Sequence, residues 1–425
     1  FIRWFSWRKI SREHTRTNHI QNVGINLKEM RTIPVKNTSS LILMTLTLIA
    51  CHSPADISGT LEGLEKKNTK IYLIEPETLR EVSASYFGKV IDSAVVNSDG
   101  SFEFHNVPKT KEPVLLELAV EPSGKAPNYL QTDNPSRSNY MPILWQFGEP
   151  LQITANWDEF QKSFSIEHPS EINKALLDLR DINQKAYQTY LAGKHWQIED
   201  GSQLLEKEHA ILQYQTKLIQ FANSIEYLMP ALVALRWVSP ENDYERVPEF
   251  LVSQCKKWQE KQPEHPWVKE LCKQSDPTNL PVLIGDVFPN FKFPMLTKDT
   301  LSLKDQLGNK LTIIDLWASW CAPCRKENRE VLVPIWDEYH DQGLQIVAYA
   351  LESDESTWRA AAERDGANRW FQASDLQGDD APFLKKIRVR TIPANFILDD
   401  KGVVIAKNVH GKALMDFVKS YMIKK

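Results

Sequence analysis

The spacing of hydrophobic positions changes twice along this chain, and each stretch predicts a different architecture. From Ile57 to about Trp157, apolar residues come in short alternating or β-branched runs: Lys70–Ile74, Lys89–Asn97, Ser101–Phe104, Pro113–Val120, Ile143–Phe147 and Leu151–Ala155. A period of two with intervening turns predicts strands, so residues 51–158 are expected to form an all-β module. Asn97-Ser98-Asp99-Gly100 lies between two of these runs and tolerates positive φ, which predicts a hairpin.

From Glu171 to about Lys273 glycine is scarce and the spacing becomes helical. Leu176, Leu177, Ile182, Ala186 and Tyr190 form one stripe; Leu204, Leu205, Ile211, Leu212, Leu218, Ile219 and Phe221 form another. Such stripes are packing surface, so residues 159–280 are expected to be a helical connector without chemistry of their own. From residue 281 to 425 strand and helix alternate, over Leu311–Trp317, Cys324–Tyr339, Leu344–Leu351, Ser356–Arg364, Phe383–Ile387, Asn395–Leu398, Val403–Lys407 and Lys412–Met422. That alternation predicts a central sheet covered by helices, an α/β domain.

A length of 425 residues agrees with several domains, since one core rarely serves so many. Apolar content of 42% and charged content of 25% are those of a globular protein, and a net charge of −4 argues against a nucleic-acid partner. Five cysteines are too few for a disulfide scaffold and need separate readings.

The apolar run Leu41–Ala50 is too short to span a bilayer but suits an export signal, with Arg31 and Lys36 as its positive flank. Phe1 is not an initiator and Met30 would start a signal of ordinary size. Residues 30–50 are therefore expected to be a signal peptide and residues 1–29 a leader foreign to the native protein. Leu48-Ile49-Ala50-Cys51 resembles a bacterial lipobox, which makes Cys51 the expected lipid attachment point; the alternative is a core helix with a chance cysteine. The lipobox reading implies a bacterial cell-envelope protein, lipid-anchored and facing the periplasm, where disulfides persist.

Cys255 and Cys272 flank the helix breaker Gln262-Pro263-Glu264-His265-Pro266, which sets them on two arms of a helical hairpin. Both a structural disulfide and two separate thiols fit that spacing.

The strand Leu311–Trp317 is apolar except for Asp315, and a carboxylate on a central strand needs a reason because burial disfavours its charge. A proton-transfer role for the nearby cysteines is one reason; a hydrogen bond to backbone at the strand's edge is another. The strand runs into Trp320-Cys321-Ala322-Pro323-Cys324, where a helix begins. A thiol at a helix N-terminus faces unpaired N–H groups that stabilise its thiolate, so Cys321 is the expected nucleophile and Cys324, one turn inward, the resolving thiol. Pro323 fits the first helical turn, where its missing N–H costs nothing. Zinc uses the same spacing but needs a second ligand pair, and Cys255 with Cys272 lacks knuckle spacing, so no metal is assigned.

The stretch Asp315-Leu316-Trp317-Ala318-Ser319-Trp320-Cys321-Ala322-Pro323-Cys324, with Thr391-Ile392-Pro393 downstream, resembles the thioredoxin superfamily and, within it, the TlpA/ResA-like envelope branch. The resemblance covers about Ile284 to Lys425 and implies a thioredoxin fold and thiol–disulfide exchange with protein substrates. It implies that Pro393 is a cis-proline beside the redox pair, that the backbone of Ile392 meets an extended substrate, and that Trp320 and Pro323 share in that contact. Glu327 matches a glutamate position of this branch, with a solvated helix-face charge as the alternative. Ala318 and Ile314 stand where peroxiredoxin relatives carry threonine and proline, which argues against peroxidase chemistry. Copper-delivery relatives pair a distal histidine, for which His410 is available, with a wider cysteine spacing than this one.

Ile57-Ser58-Gly59-Thr60, Ile91-Asp92-Ser93 and Asp99-Gly100-Ser101-Phe102-Glu103-Phe104 resemble a small β domain that precedes thioredoxin folds in envelope lipoproteins of Bacteroidota. No bound cofactor is implied. Proteins of this kind mostly act as reductants, for example on apocytochrome c, and draw electrons from a membrane donor protein. The alternative is a binding or scaffold lipoprotein acting through its β and helical parts, with the redox pair as a switch.

Overall fold

The computed structural model describes residues 56–63, 69–84, 88–121, 134–197 and 203–424. The expected leader (1–29), the expected signal segment (30–50) and Cys51 lie outside the described residues. Among the described residues no helix is long and apolar enough to cross a membrane.

The alternating runs at the start become β1 (Ile57–Glu62), β2 (Lys70–Glu75), β3 (Lys89–Val95), β4 (Ser101–Phe104), β5 (Val114–Val120), β6 (Tyr140–Trp145) and β7 (Leu151–Asn156). Helix α1 (Phe160–Ser163) and strand β8 (Ser165–Ile166) follow. They form two four-stranded sheets, ordered β4-β1-β7-β8 and β3-β2-β5-β6. The turn at Asn97–Gly100 forms, with Gly100 at φ +86° and its N–H donating to Asn97 O at 3.0 Å. It does not make the expected hairpin of paired neighbours, because β3 pairs with β2 whereas β4 pairs with β1 in the other sheet. Turn chemistry is local, while the choice of partner strand depends on which sheet buries each face.

Strand β6 begins earlier than its apolar run and passes through Pro142. It lies at a sheet edge, where a missing N–H is tolerated. That edge is closed in part by a helix: Asn173 accepts from Leu144 N at 2.7 Å and donates to Leu144 O at 2.9 Å.

Five longer helices follow: α2 (Glu171–Tyr190), α3 (Leu204–Ser224), α4 (Leu228–Val238), α5 (Pro248–Lys261) and α6 (Pro266–Gln274). Ser170 caps α2 by accepting from Asn173 N at 3.3 Å. Apolar residues of these helices and of the two sheets share one continuous core, from Ile57 to Leu280. Cys255 on α5 and Cys272 on α6 are bonded to each other, with Cα atoms 4.9 Å apart.

A second core runs from Phe288 to Met422. It is built on the hairpin β9 (Lys292–Pro294) and β10 (Thr300–Ser302), then β11 (Leu311–Trp317), α7 (Ala322–Glu327), α8 (Val333–Tyr339), β12 (Leu344–Ala350) and α9 (Glu355–Arg364). β13 (Phe371–Ala373), α10 (Pro382–Ile387), β14 (Ala394–Asp399), β15 (Val404–Lys407) and α11 (Gly411–Lys424) complete it. The five-stranded sheet is ordered β13-β12-β11-β14-β15, with β11 parallel to β12 and antiparallel to β14. All seven residues of β11 are buried, as expected of a central strand covered on both faces. The chain thus has a β-rich N-terminal region, helices in the middle and a C-terminal α/β domain.

The helix expected over Cys324–Tyr339 is interrupted. Residues Asn328–Leu332 make a π-turn, closed by Val333 N–H donating to Asn328 O. Pro334 follows at once; it has no N–H to donate and its ring crowds the preceding turn, which accounts for the widened geometry there.

Candidate active site

Strand β11 sets the position of the cysteine pair. It ends at Trp317, and the tight turn Ala318–Trp320 carries the chain into α7, with Cys321 N–H donating to Ala318 O at 3.1 Å. Cys321 occupies the N-cap of α7, and its Sγ accepts from Cys324 N–H at 3.3 Å. The two cysteines are joined as a disulfide, with Cα atoms 5.3 Å apart. In this state both are buried, Cys321 at 5% and Cys324 at 2% exposure, while Trp320 beside them is 54% exposed. Pro323 is buried within the first turn.

The turn is held from both sides. Arg325 donates to Ser319 O at 3.1 Å and forms an ion pair with buried Asp365, which Arg329 joins at 2.8 Å. Ser319 N–H donates to the buried carboxylate of Glu352. These contacts fix the turn from which Cys321 projects. Linear pattern offers a hint only for Arg325, which follows Cys324 directly; Asp365 and Glu352 come from distant segments and carry no local signal.

Asp315 lies on β11 opposite Asn395 of β14 and Ala348 of β12, away from solvent. Burial pushes its carboxyl up to about 8, and the charge of nearby Glu327 adds to the effect. A carboxyl that changes protonation near neutral pH is suited to exchange a proton with a thiol.

Glu327 is the last residue of α7 and is only 5% exposed, so it is not a solvated helix-face charge. Both its oxygens accept from Gly411 N–H, at 3.0 and 3.2 Å, and His410 Nδ1 lies 3.6 Å from Oε1. Gly411 adopts φ +59°, which lets its N–H turn toward the carboxylate. Asn395 fastens the same loop, accepting from Val409 N at 3.0 Å and approaching His410 Nδ1 at 3.5 Å. His410 is therefore a neighbour of Glu327 in the domain's interior.

The Ile392–Pro393 peptide is cis, and Pro393 is buried. Because Ala394 pairs with Leu316, Pro393 comes level with the end of β11, where the cysteine turn departs. The substrate-facing residues expected from the sequence thus converge at one end of the sheet.

The Redoxin family profile matches residues 283–416. Among curated proteins, the chain is 29% identical over 121 residues to the thioredoxin-like protein YneN of Bacillus subtilis, covering 28% of this chain and 68% of that protein. It is 28% identical over 138 residues to the thiol:disulfide interchange protein DsbE of Pseudomonas fluorescens, covering 32% and 71%. It is 27% identical over 141 residues to the thiol-disulfide oxidoreductase ResA of Bacillus thuringiensis, covering 33% and 78%. A solved thiol-disulfide oxidoreductase from Bacteroides fragilis is 27% identical, covering 32% of this chain and 98% of that one with a TM-score of 0.30. The C-terminal domain belongs to the thioredoxin superfamily and is TlpA/ResA-like.

The TlpA/ResA-like domain makes this protein a thiol–disulfide oxidoreductase of the DsbE/ResA type. Cys255 and Cys272 belong to the other core and are separate from its site.

Proposed function

We propose that this protein reduces disulfides of other proteins in the bacterial cell envelope, with Cys321 as nucleophile, Cys324 as resolving thiol and Asp315 as proton acceptor. The observation that carries this reading is the Cys321–Cys324 disulfide at the head of α7, preceded by a strand that buries one titratable carboxyl.

In the reduced protein the Cys321 thiolate attacks a substrate disulfide, forming a mixed disulfide and expelling one substrate thiolate, which takes up a proton. Cys324 then loses its proton to Asp315 and attacks Sγ of Cys321. The second substrate thiolate leaves and is protonated in turn, and the Cys321–Cys324 disulfide remains. Two electrons have passed to the substrate, so a membrane donor must return two for the next cycle. Trp320, Pro323, Ile392 and Pro393 form the substrate-facing rim, and Glu327 acts as an auxiliary group by raising the proton affinity of Asp315, which makes the ionised carboxylate a stronger base toward Cys324.

The envelope assignment rests on the apolar run Leu41–Ala50 and on Cys51 as lipid anchor, which precedes the catalytic domain at 281–425 in sequence by residues 52–280. Apocytochrome c, with its paired cysteines, is the proposed class of substrate.

An insulin-reduction assay on the wild type, Cys321→Ser and Cys324→Ser tests the chemistry. Turnover is expected only in the wild type; equal, negligible rates in all three would favour a binding or scaffold role. Trapping partners in cells with Cys324→Ser, which stalls the mixed disulfide on Cys321, names the substrate. Mass spectrometry of the native N-terminus tests lipidation of Cys51.

A further inference from the structure

Between α4 and α5 the chain makes a short connection, Asp243–Arg246, which is held within the helical region by Ser239, Leu235 and Glu208 and also bonds to the catalytic domain through the side chains of Asp243, Glu245 and Arg246. Glu245 accepts from Arg390 N–H at 3.0 Å, Arg390 Nε at 2.8 Å, Thr391 N–H at 3.1 Å and Thr391 Oγ1 at 2.7 Å. Asp243 takes Arg390 Nη2 at 2.9 Å. Arg246 donates to the carbonyl of Pro393 at 3.1 Å and to Asn408 at 2.9 Å.

Residues 390, 391 and 393 are thus tied to the helical region, and Ile392 stands between them. Among the described residues its N–H and C=O pair with no other group, and its side chain is half-buried. The Glu245 side chain is only 8% exposed. Burial alone would raise its carboxyl, but the donors from Thr391 and Arg390 hold it below the usual range, so it is charged at neutral pH.

Simple interdomain adhesion does not require this pattern. Exposed arginine–carboxylate pairs such as Arg390–Asp243 would serve, and Lys407–Glu249 at 2.6 Å already joins the two parts elsewhere. A buried carboxylate spent on two successive peptide N–H groups instead fixes a backbone conformation.

We propose that Asp243–Arg246 is an intramolecular clamp that presents the backbone of Ile392 to substrate, with Glu245 as the positioning residue. The helical region thereby sets the affinity of the catalytic domain for extended protein substrates. This inference rests on the proposed protein-disulfide exchange at Cys321. An extended peptide needs the Ile392 edge, whereas a small aromatic disulfide needs only the sulfur of Cys321.

The test uses the full chain with Glu245→Ala and Glu245→Gln, against insulin and against 5,5′-dithiobis(2-nitrobenzoate). For Glu245→Ala, KM for insulin should rise about tenfold with kcat retained, as expected for loss of charge-assisted hydrogen bonds that position a binding edge. The small disulfide should lose less than about twofold, and Glu245→Gln, which keeps an acceptor, should recover most of the insulin KM. Hydrogen exchange provides a readout independent of turnover: the Arg390 and Thr391 amides should exchange faster in Glu245→Ala. An unchanged insulin KM, an equal loss with both substrates, or unchanged exchange at residues 390–391 would overturn the clamp. A wild type no more active than Cys321→Ser would instead overturn the reading on which it rests, while the exchange measurement would still judge the clamp.

Discussion

Glu327 holds the backbone N–H of Gly411 with both carboxylate oxygens, at 3.0 and 3.2 Å, and so joins the end of α7 to the start of α11. The same carboxylate lies close enough to Asp315 to raise its proton affinity. One buried side chain thereby couples the packing of the domain to the protonation of Asp315.

Replacing Glu327 separates these two effects. Glu327→Ala leaves the Gly411 N–H without its acceptor and should cost about 1–3 kcal/mol in urea unfolding. Glu327→Gln keeps an acceptor, should cost less, and removes the like charge from Asp315. The acid limb of the pH–rate profile should therefore move to lower pH; an upward or absent shift would show that Glu327 does not govern Asp315.

Asp315 should also mark the pH dependence of stability. An unfolded chain releases this proton near pH 3.8, whereas the folded protein keeps it to about 8. Between those values the folded state binds more protons, so stability falls as pH rises. Asp315→Asn removes this term. Relative to wild type, the variant should gain stability between pH 4 and pH 8, by on the order of several kcal/mol. Glu117, which burial also pushes up to about 8, is present in both proteins and cancels in the difference. Denaturant unfolding at the two pH values measures it, and an equal difference at both would contradict the assignment.

Cys321 sits at the N-cap of α7 with Cys324 N–H directed at its sulfur, whereas Cys324 lies inside the first turn. After reduction, Cys321 should be alkylated by iodoacetamide at neutral pH at least about tenfold faster than Cys324. Peptide mapping after a short pulse reads the order, and modification of Cys324 first would reverse the proposed roles.

Asp365 neutralises Arg325 and Arg329 from a fully buried position, and Arg325 in turn holds the carbonyl of Ser319. Asp365→Asn removes the buried charge that pairs partly buried Arg325 and exposed Arg329 and should cost about 1–3 kcal/mol. Thermal unfolding checks the loss. Reduction of insulin should slow as well, because the turn that carries Cys321 loses its anchor; an intact rate would separate the ion pair from the site.

Much of the redox site was legible in linear order because its parts are local. The pair Cys321 and Cys324, the buried strand Leu311–Trp317 and Asp315 within it all lie in fourteen consecutive residues, and the spacing that brings two thiols together on a first helical turn is a property of the helix itself. Strand β13 and the hairpin of β9 and β10 left little trace, since three-residue strands are too short to show a period. The π-turn after Glu327 was hidden for a related reason: Pro334 signals a break, but whether the helix ends or widens depends on what packs around it.

By itself, then, the sequence determined the strand–turn–helix that bears the cysteines and the alternation that makes the C-terminal domain α/β. Only the tertiary structure decided that Glu327 is buried against Gly411, that Cys255 is bonded to Cys272, and that β3 and β4 part into different sheets. It alone brought Glu245 onto the peptide groups before Ile392, 145 residues away in the chain. The physical reason is the same in each case: a side chain's partner across such distances is chosen by which surfaces the folded chain buries together, and no local periodicity records that choice.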